Sequence, residues 1–245
     1  MPVKGRDSSY CTNPSWEGRA DCVHCGVRSL MMFSSLPETS FSQLLQPIDN
    51  QHYGSDAVLY REKTPGTAVY SIRRGLVKLQ VEDNGGSRIV RLLGKGAVIG
   101  LELLDDAPYR QTAVTVGEVD LCRIPRATLE ELEREHPELC DRVRQKLQAH
   151  LDRADEWILY LNSGTARSRI AYLLRMQAQI GSDRNGDIRL IPRGDMAAIC
   201  GITKETASRV VAEFKRDGLL FKVAPHTYRV EMDRIDQITA ATVSF

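Results

Sequence analysis

The chain has 245 residues, a formal net charge of +1 and ordinary apolar and charged fractions for a globular protein. This length can bury one large core or two modest ones, and the near-neutral charge gives no overall sign of a nucleic-acid partner, although a local basic patch is compatible with it. The sequence lacks an apolar run of the roughly 18 residues that span a bilayer and the apolar stretch of a secretory signal, so we expect a cytoplasmic protein without a membrane partner.

Residues 1–28 are predicted to form an irregular arm, because they are polar and show no clear periodicity. The arm is rich in cysteine, with Cys11, Cys22 and Cys25. In a reducing compartment such a group more often binds metal or senses redox state than forms structural disulfides. A disulfide would leave one of the three thiols unpaired, and a zinc or iron–sulfur site usually takes four ligands, so a metal site here requires a further ligand from elsewhere in the chain.

Short strands separated by turn signals are predicted over residues 55–124, after a short amphipathic helix over 40–49 that Ser40 would cap. The segment AVYSIRRGLVKLQVED alternates apolar and polar residues around a central Arg-Gly pair, and NGG at 84–86 is a strong hairpin signal. Many strands with closely spaced turns and no intervening helices indicate an antiparallel roll or barrel. We assign this β-roll domain to residues 29–136.

Helical periodicity begins after Pro125. The segment RATLEELEREHPEL predicts one helix, interrupted near Pro137, and a longer helix is expected from about Glu138 to Ser163. Along the longer helix, apolar residues recur at three- and four-residue steps with charged flanks: Val143, Leu147, Leu151, Ala154, Ile158 and Leu161. A long helix with one narrow apolar stripe favours pairing with its twin in a homodimer, the alternative being packing against its own domain. We assign residues 137–163 to this dimerisation helix.

A small second domain is predicted over residues 164–245. It contains a helix over ARSRIAYLLRMQAQIG, a short strand IRLIP, two helices around a tight turn, and a two-stranded wing over LLFKVAPHTYRVE. At the turn, Asp195 is expected to cap a helix over 196–200 and Gly201 to take the left-handed conformation. Thr203 is expected to cap the next helix, which opens at Glu205 or Thr206.

The second of these helices carries the most specific pattern in the chain. Its apolar face consists of Ala207, Val210, Val211 and Phe214, and its polar face of Lys204, Glu205, Ser208 and Arg209. In helix-turn-helix proteins the start of the second helix contacts base edges in the major groove of double-stranded DNA. Arg209 can donate two hydrogen bonds to guanine, and Glu205 can accept one from cytosine. Candidate phosphate contacts are Thr203, Lys204, Lys215, Arg216 and Lys222. The alternative is an ordinary helical hairpin with a solvated face.

The segment GITKETASRVVAEFKRDGLL, the glycine-rich roll and the long helix resemble the CRP/FNR superfamily of bacterial transcription regulators, from about Phe41 to Phe245. The resemblance implies an α+β fold with an antiparallel β-roll of the cyclic-nucleotide-binding type, a dimerisation helix and a C-terminal winged helix-turn-helix. The E-x-x-S-R pattern is similar to the FNR branch, which binds palindromes of TTGAT-type half-sites. The resemblance to that branch implies that Arg209 contacts guanine, that Glu205 contacts the opposing cytosine and that Ser208 lies near a thymine. It also implies RNA polymerase as a further partner.

The same resemblance implies a cofactor. In the FNR branch a fourth cysteine late in the roll completes the N-terminal group, and VDLCRIPRATLEELEREHPEL supplies Cys122 in a similar segment. The implied site is a [4Fe–4S] cluster held by Cys11, Cys22, Cys25 and Cys122 that pins the arm to the roll. Cys11 lies further from the C-x-x-C pair than the family's spacing, so Asp21 or His24 is an alternative ligand. Two cysteines without metal-ligand spacing are left out of the site, Cys140 and Cys200.

The function implied is an oxygen-sensing regulator of anaerobic or low-oxygen gene expression. The acidic pair Asp155-Glu156 beside the stripe is similar in place to a carboxylate that opposes dimerisation in the FNR branch. The rival is a regulator of the same fold that responds to nitric oxide or to thiol oxidation, with zinc or without a stable cluster. No Ser/His/Asp grouping, phosphate-cradling glycine loop or paired-carboxylate motif is present in the sequence, so enzyme activity is not expected.

Two other ligands of the sensor domain are not expected. Cyclic-nucleotide binders carry a Gly-Glu-Leu motif and an Arg-Ser pair, whereas here Val98 occupies the glutamate's position and Gln111 follows Arg110. Haem needs an axial ligand in a pocket. The candidates in the N-terminal half are His24 and His52, and a lone histidine is more often a surface or capping residue.

Overall fold

The computed structural model describes residues 15–19, 28–30, 48–83, 86–183 and 185–240. The chain divides into two compact units, of which the first holds Met1–Ser87 and Leu92–Lys146 and the second holds Arg88–Arg91 and Leu147–Phe245. The predicted helix over 40–49 lies outside the described residues except at its last two positions, and Asp49 there begins a strand.

A seven-stranded antiparallel sheet makes up most of the first unit, which confirms the predicted β-roll. The strands are β1 Ser15–Arg19, β2 Asp49–Tyr53, β3 Val58–Tyr60, β4 Ala68–Asp83, β5 Gly86–Leu93, β6 Val98–Ile99 and β7 Thr112–Pro125. The main strand order is β1-β2-β7-β4-β5, with β3 beside β7 and β6 beside β4. Short 3₁₀ helices cover Arg28–Leu30 and Leu101–Asp105. The long strands β4 and β7 are buried over much of their length and contribute a large part of the core of this unit.

The long strand β4 is irregular at the predicted Arg74-Gly75 position, where its register with β7 shifts on both sides of Arg74. Gly75 has a φ of 88°, and a Cβ there would lie 2.4 Å from the Glu118 carbonyl oxygen. Only glycine fits this conformation and this close approach. β4 therefore continues through the Arg74-Gly75 pair as one strand with a local irregularity.

Strand β1 corrects the prediction that the whole arm is irregular. Ser15 pairs with His52, and Arg19 pairs with Asp49 on β2. β2 pairs in turn with β7, where Asn50 lies opposite Cys122. A five-residue strand that includes a glycine carries little local signal, because its hydrogen-bond partner lies far away in the chain.

Six helices follow the roll among the described residues. They are α1 Arg126–Glu135, α2 Glu138–Leu161, α3 Ala166–Gly181, α4 Arg193–Cys200, α5 Lys204–Arg216 and α6 Met232–Ala240. α2, the predicted dimerisation helix, ends two positions before the predicted Ser163. None of the described helices is both long enough and apolar enough to cross a membrane.

The second unit has the predicted winged helix-turn-helix. Its three-stranded sheet has the order β8-β10-β9, with β8 Ile188–Arg189, β9 Leu220–Ala224 and β10 Thr227–Val230. Asp195 is not the N-cap of α4, since the helix begins at Arg193 directly after Pro192, and Asp195 falls in its first turn. An acidic side chain is favourable there through the helix dipole rather than through a cap. α6 was not predicted from the sequence; it buries Ile235 and packs on α3.

Candidate DNA interface and cluster ligands

The turn between α4 and α5 has the predicted helix-turn-helix geometry. Gly201 follows α4 in the left-handed conformation, with φ 60° and ψ 42°, and its N–H donates to the Ala197 carbonyl. The Thr203 hydroxyl accepts a hydrogen bond of 3.2 Å from the Thr206 N–H, so Thr203 is the N-cap of α5. α5 begins at Lys204, one residue before the predicted start.

The two faces of α5 are divided as the sequence predicts. The apolar face is buried and consists of Ala207, Val210, Val211 and Phe214. The polar face is exposed and consists of Lys204, Glu205, Ser208 and Arg209. Glu205, Ser208 and Arg209 are three and four residues apart, so they lie side by side on the first two turns of the helix. The Glu205 carboxylate, the Ser208 hydroxyl and the Arg209 guanidinium therefore lie on one exposed face of the helix. Recognition of base edges in a major groove requires hydrogen-bonding groups arranged in this way.

The proposed phosphate contacts surround this surface, and one of them also ties α5 to the wing. Thr203, Lys204 and Arg216 are exposed. The Lys215 ammonium donates a 2.8 Å hydrogen bond to the Tyr228 hydroxyl of β10 and lies 4.5 Å from the centre of its ring. This hydrogen bond lowers the pKa of Tyr228. An ammonium has three donors, so Lys215 can bind a phosphate while it holds the wing.

The apolar stripe of α2 is divided between core and surface. Val143 and Leu161 are buried within the chain, so they offer almost no area to a partner. Leu147, Leu151 and Ile158 are 46%, 57% and 64% exposed, respectively, and Ala154 is half-buried between them. The stripe available for pairing is therefore narrower than predicted and consists of these four central residues.

The acidic pair on α2 is also divided. Asp155 is exposed and lies four residues after Leu151 and three before Ile158, so it borders the exposed stripe. The Glu156 carboxylate accepts a 2.7 Å hydrogen bond from the Tyr172 hydroxyl of α3, on another side of the helix. Only Asp155 is thus placed to oppose a second copy of the stripe. No local pattern indicates the role of Tyr172, because its partner Glu156 lies 16 residues away in the chain.

Cys122 lies on β7 and is 8% exposed. Its thiol donates to the Asn50 side-chain oxygen at 3.4 Å. By strand alternation it shares a face of the sheet with Asp120, two residues earlier, while Leu121 between them is fully buried on the other face. The thiol is thus held on a rigid central strand rather than in a loop.

A charged cluster adjoins Cys122 on that face. The Asp120 carboxylate accepts hydrogen bonds from His52 Nδ1 at 2.7 Å and from Arg74 Nε at 2.6 Å. Burial raises the pKa of Asp120, but the bonds from Arg74 and His52 outweigh burial and hold that pKa below its usual value. His52, a candidate haem ligand in the sequence, is therefore already engaged by a carboxylate.

The other three proposed ligands, Cys11, Cys22 and Cys25, lie outside the described residues, as does the alternative pair Asp21 and His24. Within the described residues no group of three or more His, Cys, Asp or Glu side chains is arranged to hold a metal ion. Of the two excluded cysteines, Cys140 is exposed. Cys200 is buried, and that burial raises the pKa of its thiol to about 12, as suits its predicted role as helix-packing filler.

The segment compared with cyclic-nucleotide binders contains β6, the 3₁₀ helix Leu101–Asp105 and the start of β7. Val98 is fully buried, and Arg110 is exposed at a loop end. The carboxylate of Glu102 accepts a 3.0 Å hydrogen bond from the Arg110 N–H. Inside the roll Tyr60 stacks on Tyr109 with their ring centres 3.8 Å apart.

The sequence matches two protein families. It matches the Cyclic nucleotide-binding domain over residues 50–136 and the Crp-like helix-turn-helix domain over residues 168–234. Similar proteins include the Anaerobic regulatory protein of Aggregatibacter actinomycetemcomitans, which is 24% identical over 81% of this chain and 80% of its own length. The Fumarate and nitrate reduction regulatory protein of Escherichia coli is 24% identical over 81% of this chain and 82% of its own length.

Solved structures share the fold. FixK2 from Bradyrhizobium japonicum superposes with a TM-score of 0.70 and 24% identity, over 80% of this chain and 99% of FixK2. A CRP-family transcriptional regulator from Thermus thermophilus superposes with a TM-score of 0.64 and 22% identity, over 79% of this chain and 98% of its own. With the two matched domains in this order and a helix-turn-helix whose polar face is exposed, the chain belongs to the CRP/FNR superfamily of DNA-binding transcription regulators.

Proposed function

We propose that this protein is a cytoplasmic, homodimeric regulator that senses oxygen through a [4Fe–4S] cluster held by Cys11, Cys22, Cys25 and Cys122. The observation that carries the proposal is the pairing of the arm with the roll. β1 lies between Cys11 and Cys22 in the sequence, and in the sheet it is separated from the Cys122 strand only by β2. The names of two similar proteins, which refer to anaerobic regulation and to fumarate and nitrate reduction, support the same signal.

The register of the sheet makes the ligand set feasible. Arg19 pairs with Asp49, and Asp49 is next to Asn50, which lies opposite Cys122. Two strand spacings separate β1 from β7 by about 10 Å. Cys22 follows Arg19 by three residues, a length of chain that reaches at most about 10 Å. A site that contains both the C-x-x-C pair and Cys122 is therefore within reach of the chain that follows β1.

The chemistry of the donor set also fits this cofactor, because four cysteine thiolates are the usual ligands of such a cluster. When bound, the cluster supplies a centre that reacts with oxygen and with nitric oxide. The chain's own residues bind it and thereby tie the arm to the sheet, so that ligand binding and the order of the arm are coupled. A protein that loses the arm ligands retains Cys122 in β7 but loses this tie.

An experiment on DNA binding separates the proposal from its rival. Anaerobically purified protein should bind a TTGAT-type palindrome at least about tenfold more tightly than the same sample after exposure to air. A cluster lost to air should not return on addition of a thiol reductant alone, whereas a thiol–disulfide switch should be reversed by it. Full recovery with the reductant would favour a thiol switch. Equal binding before and after air would contradict both the oxygen sensor and the thiol switch, and would favour the rival that responds to nitric oxide.

Burial at Cys122 also bears on the rival. Oxidation of a cysteine requires an accessible thiolate, and the Cys122 thiol is buried and donates to Asn50. A thiol switch would therefore have to use cysteines other than Cys122. We further propose that neither a cyclic nucleotide nor enzyme activity is part of the function, and that RNA polymerase is a partner at promoters.

The proposed base contact of Arg209 can be tested directly. Arg209→Ala should cost about 1–3 kcal/mol at the cognate G·C pair, because the forked guanidinium donates twice to guanine. Fluorescence anisotropy with cognate and single-base-changed duplexes measures this loss. The matched control is Arg216→Ala, which should weaken binding to all duplexes alike. If Arg209→Ala weakened cognate and scrambled duplexes equally, Arg209 would be a phosphate contact only.

The proposed role of Asp155 predicts a gain in dimerisation. Two Asp155 carboxylates brought together beside paired stripes would repel each other and lose solvation. Asp155→Ala should therefore strengthen the dimer about two- to fivefold, measured by sedimentation of air-exposed protein. Asp152→Ala is the control, because Asp152 is an exposed acid on the same helix away from the stripe. The same change in both variants would argue against a specific role for Asp155.

A further inference from the structure

The connection between α2 and the DNA-binding domain consists of residues 162–165, with Gly164 at a φ of 76°. If pairing of α2 is to control DNA binding, its effect must pass through this connection to α5. The connection is short, but a left-handed glycine does not by itself fix the angle between two helices. The side chains that hold it therefore decide how firmly the recognition helix follows α2.

One guanidinium joins this connection to the helix-turn-helix. Arg169 of α3 donates through Nε to the Ser163 carbonyl at 3.3 Å and through Nη2 to the Gly164 carbonyl at 3.1 Å. Its Nη1 donates to the Cys200 carbonyl at 3.0 Å. Cys200 is the last residue of α4, directly before the turn glycine that leads to α5. Arg169 thus links the segment directly after α2 to the C-terminal end of α4, where backbone carbonyls have no partner within their own helix.

A second contact fixes α3 against the last turns of α2. The Tyr172 hydroxyl donates to Glu156 at 2.7 Å, and its ring stacks on Tyr160 with centres 4.5 Å apart. Burial, together with the neighbouring Glu156 carboxylate, raises the pKa of Tyr172, which keeps the hydroxyl protonated as a donor. Arg169 and Tyr172 are three residues apart on α3, so both contacts come from the same side of one helix.

We propose that Arg169 is a positioning residue that fixes the recognition helix relative to α2, so that pairing of two α2 helices aligns both recognition helices with a palindrome. This inference rests on the proposed pairing through α2. Without the bridge, each DNA-binding domain would still fold and recognise a half-site. The second half-site would then add little, because the second domain would no longer be held in place for it.

The variant Arg169→Lys tests this in the full-length protein. Lysine keeps the charge but has no planar fork, so it cannot span three carbonyls in the same way. We expect about a tenfold loss of affinity for the palindrome, affinity within about twofold of the wild type for a duplex with one half-site scrambled, and an unchanged monomer–dimer equilibrium. Arg175→Lys is the matched control, because Arg175 lies on the same helix and pairs with Asp236 on the surface. It should change none of these values.

The outcomes separate a failure of the proposed Arg169 role from a failure of the proposed pairing through α2. Equal losses on both duplexes would show only a destabilised domain, and no loss on either would show that Arg169 does not position α5; both results overturn the inference. If Arg169→Lys fails to fold, Tyr172→Phe removes only the bond to Glu156 and should give a smaller loss, again confined to the palindrome. A wild-type protein that sediments as a monomer, or that does not prefer the palindrome, would instead contradict the proposed pairing.

Discussion

Replacement of Cys122 by serine is expected to remove the cluster and, with it, oxygen-dependent DNA binding. Serine is close in size to cysteine and can keep the hydrogen bond to Asn50, so β7 should retain its pairing. A hydroxyl is a poor substitute for a thiolate on iron, and the arm would lose the additional link to β7 that the cluster provides. Anaerobic Cys122→Ser should contain almost no iron and should bind the palindrome no better than air-exposed wild type.

The control for this variant is Cys140→Ser, which changes an exposed cysteine outside the proposed ligand set. It should retain iron and the response to air. Thermal unfolding of each variant shows whether the fold is intact, and Cys122→Ala serves as a second replacement if a buried hydroxyl destabilises the sheet. A Cys122→Ser protein with the iron content of the wild type would exclude Cys122 from the site.

The second large effect is expected at the centre of the exposed α2 stripe. Leu151→Glu would place a carboxylate where two copies of the helix meet. Burial of a leucine contributes about 1.5–3 kcal/mol, and a two-fold dimer loses it twice, so we expect dimerisation to weaken more than about 100-fold. Affinity for the palindrome should fall to that for a single half-site, which sedimentation and anisotropy measure independently.

Leu159→Glu is the matched control for the stripe. Leu159 is 44% exposed on the same helix, but it lies away from the line through Leu147, Leu151 and Ile158. The same substitution there should change dimerisation much less. Equal effects of the two variants would indicate a general loss of helix stability, and a Leu151→Glu protein that still dimerises would place the dimer interface elsewhere.

Local signals predicted much of the fold. The strands of the roll alternate in polarity, α5 has a clear apolar face, and Gly201 and Thr203 have the conformations that their residue types favour. The missed features depend on distant partners. β1 is stabilised by pairing with β2, and the start of α4 is set by Pro192 rather than by Asp195.

In the candidate sites, too, features set by local sequence were predictable and features set by distant contacts were not. The exposed polar face of α5 follows from the 3.6-residue period alone. In contrast, periodicity could not show that Val143 and Leu161 are buried within the chain while Leu151 and Ile158 are exposed. Two of the contacts described above join residues that are far apart in the sequence. They are the hydrogen bond from Arg169 to Cys200 and the hydrogen bond from Cys122 to Asn50. Such contacts leave no pattern in a single sequence.

The metal content of anaerobically purified wild-type protein tests the central claim most directly. Iron and acid-labile sulfide should each be present at about four per chain, with broad visible absorption that fades in air. Material that contains neither iron nor sulfide, or that carries zinc in their place, would contradict the cluster.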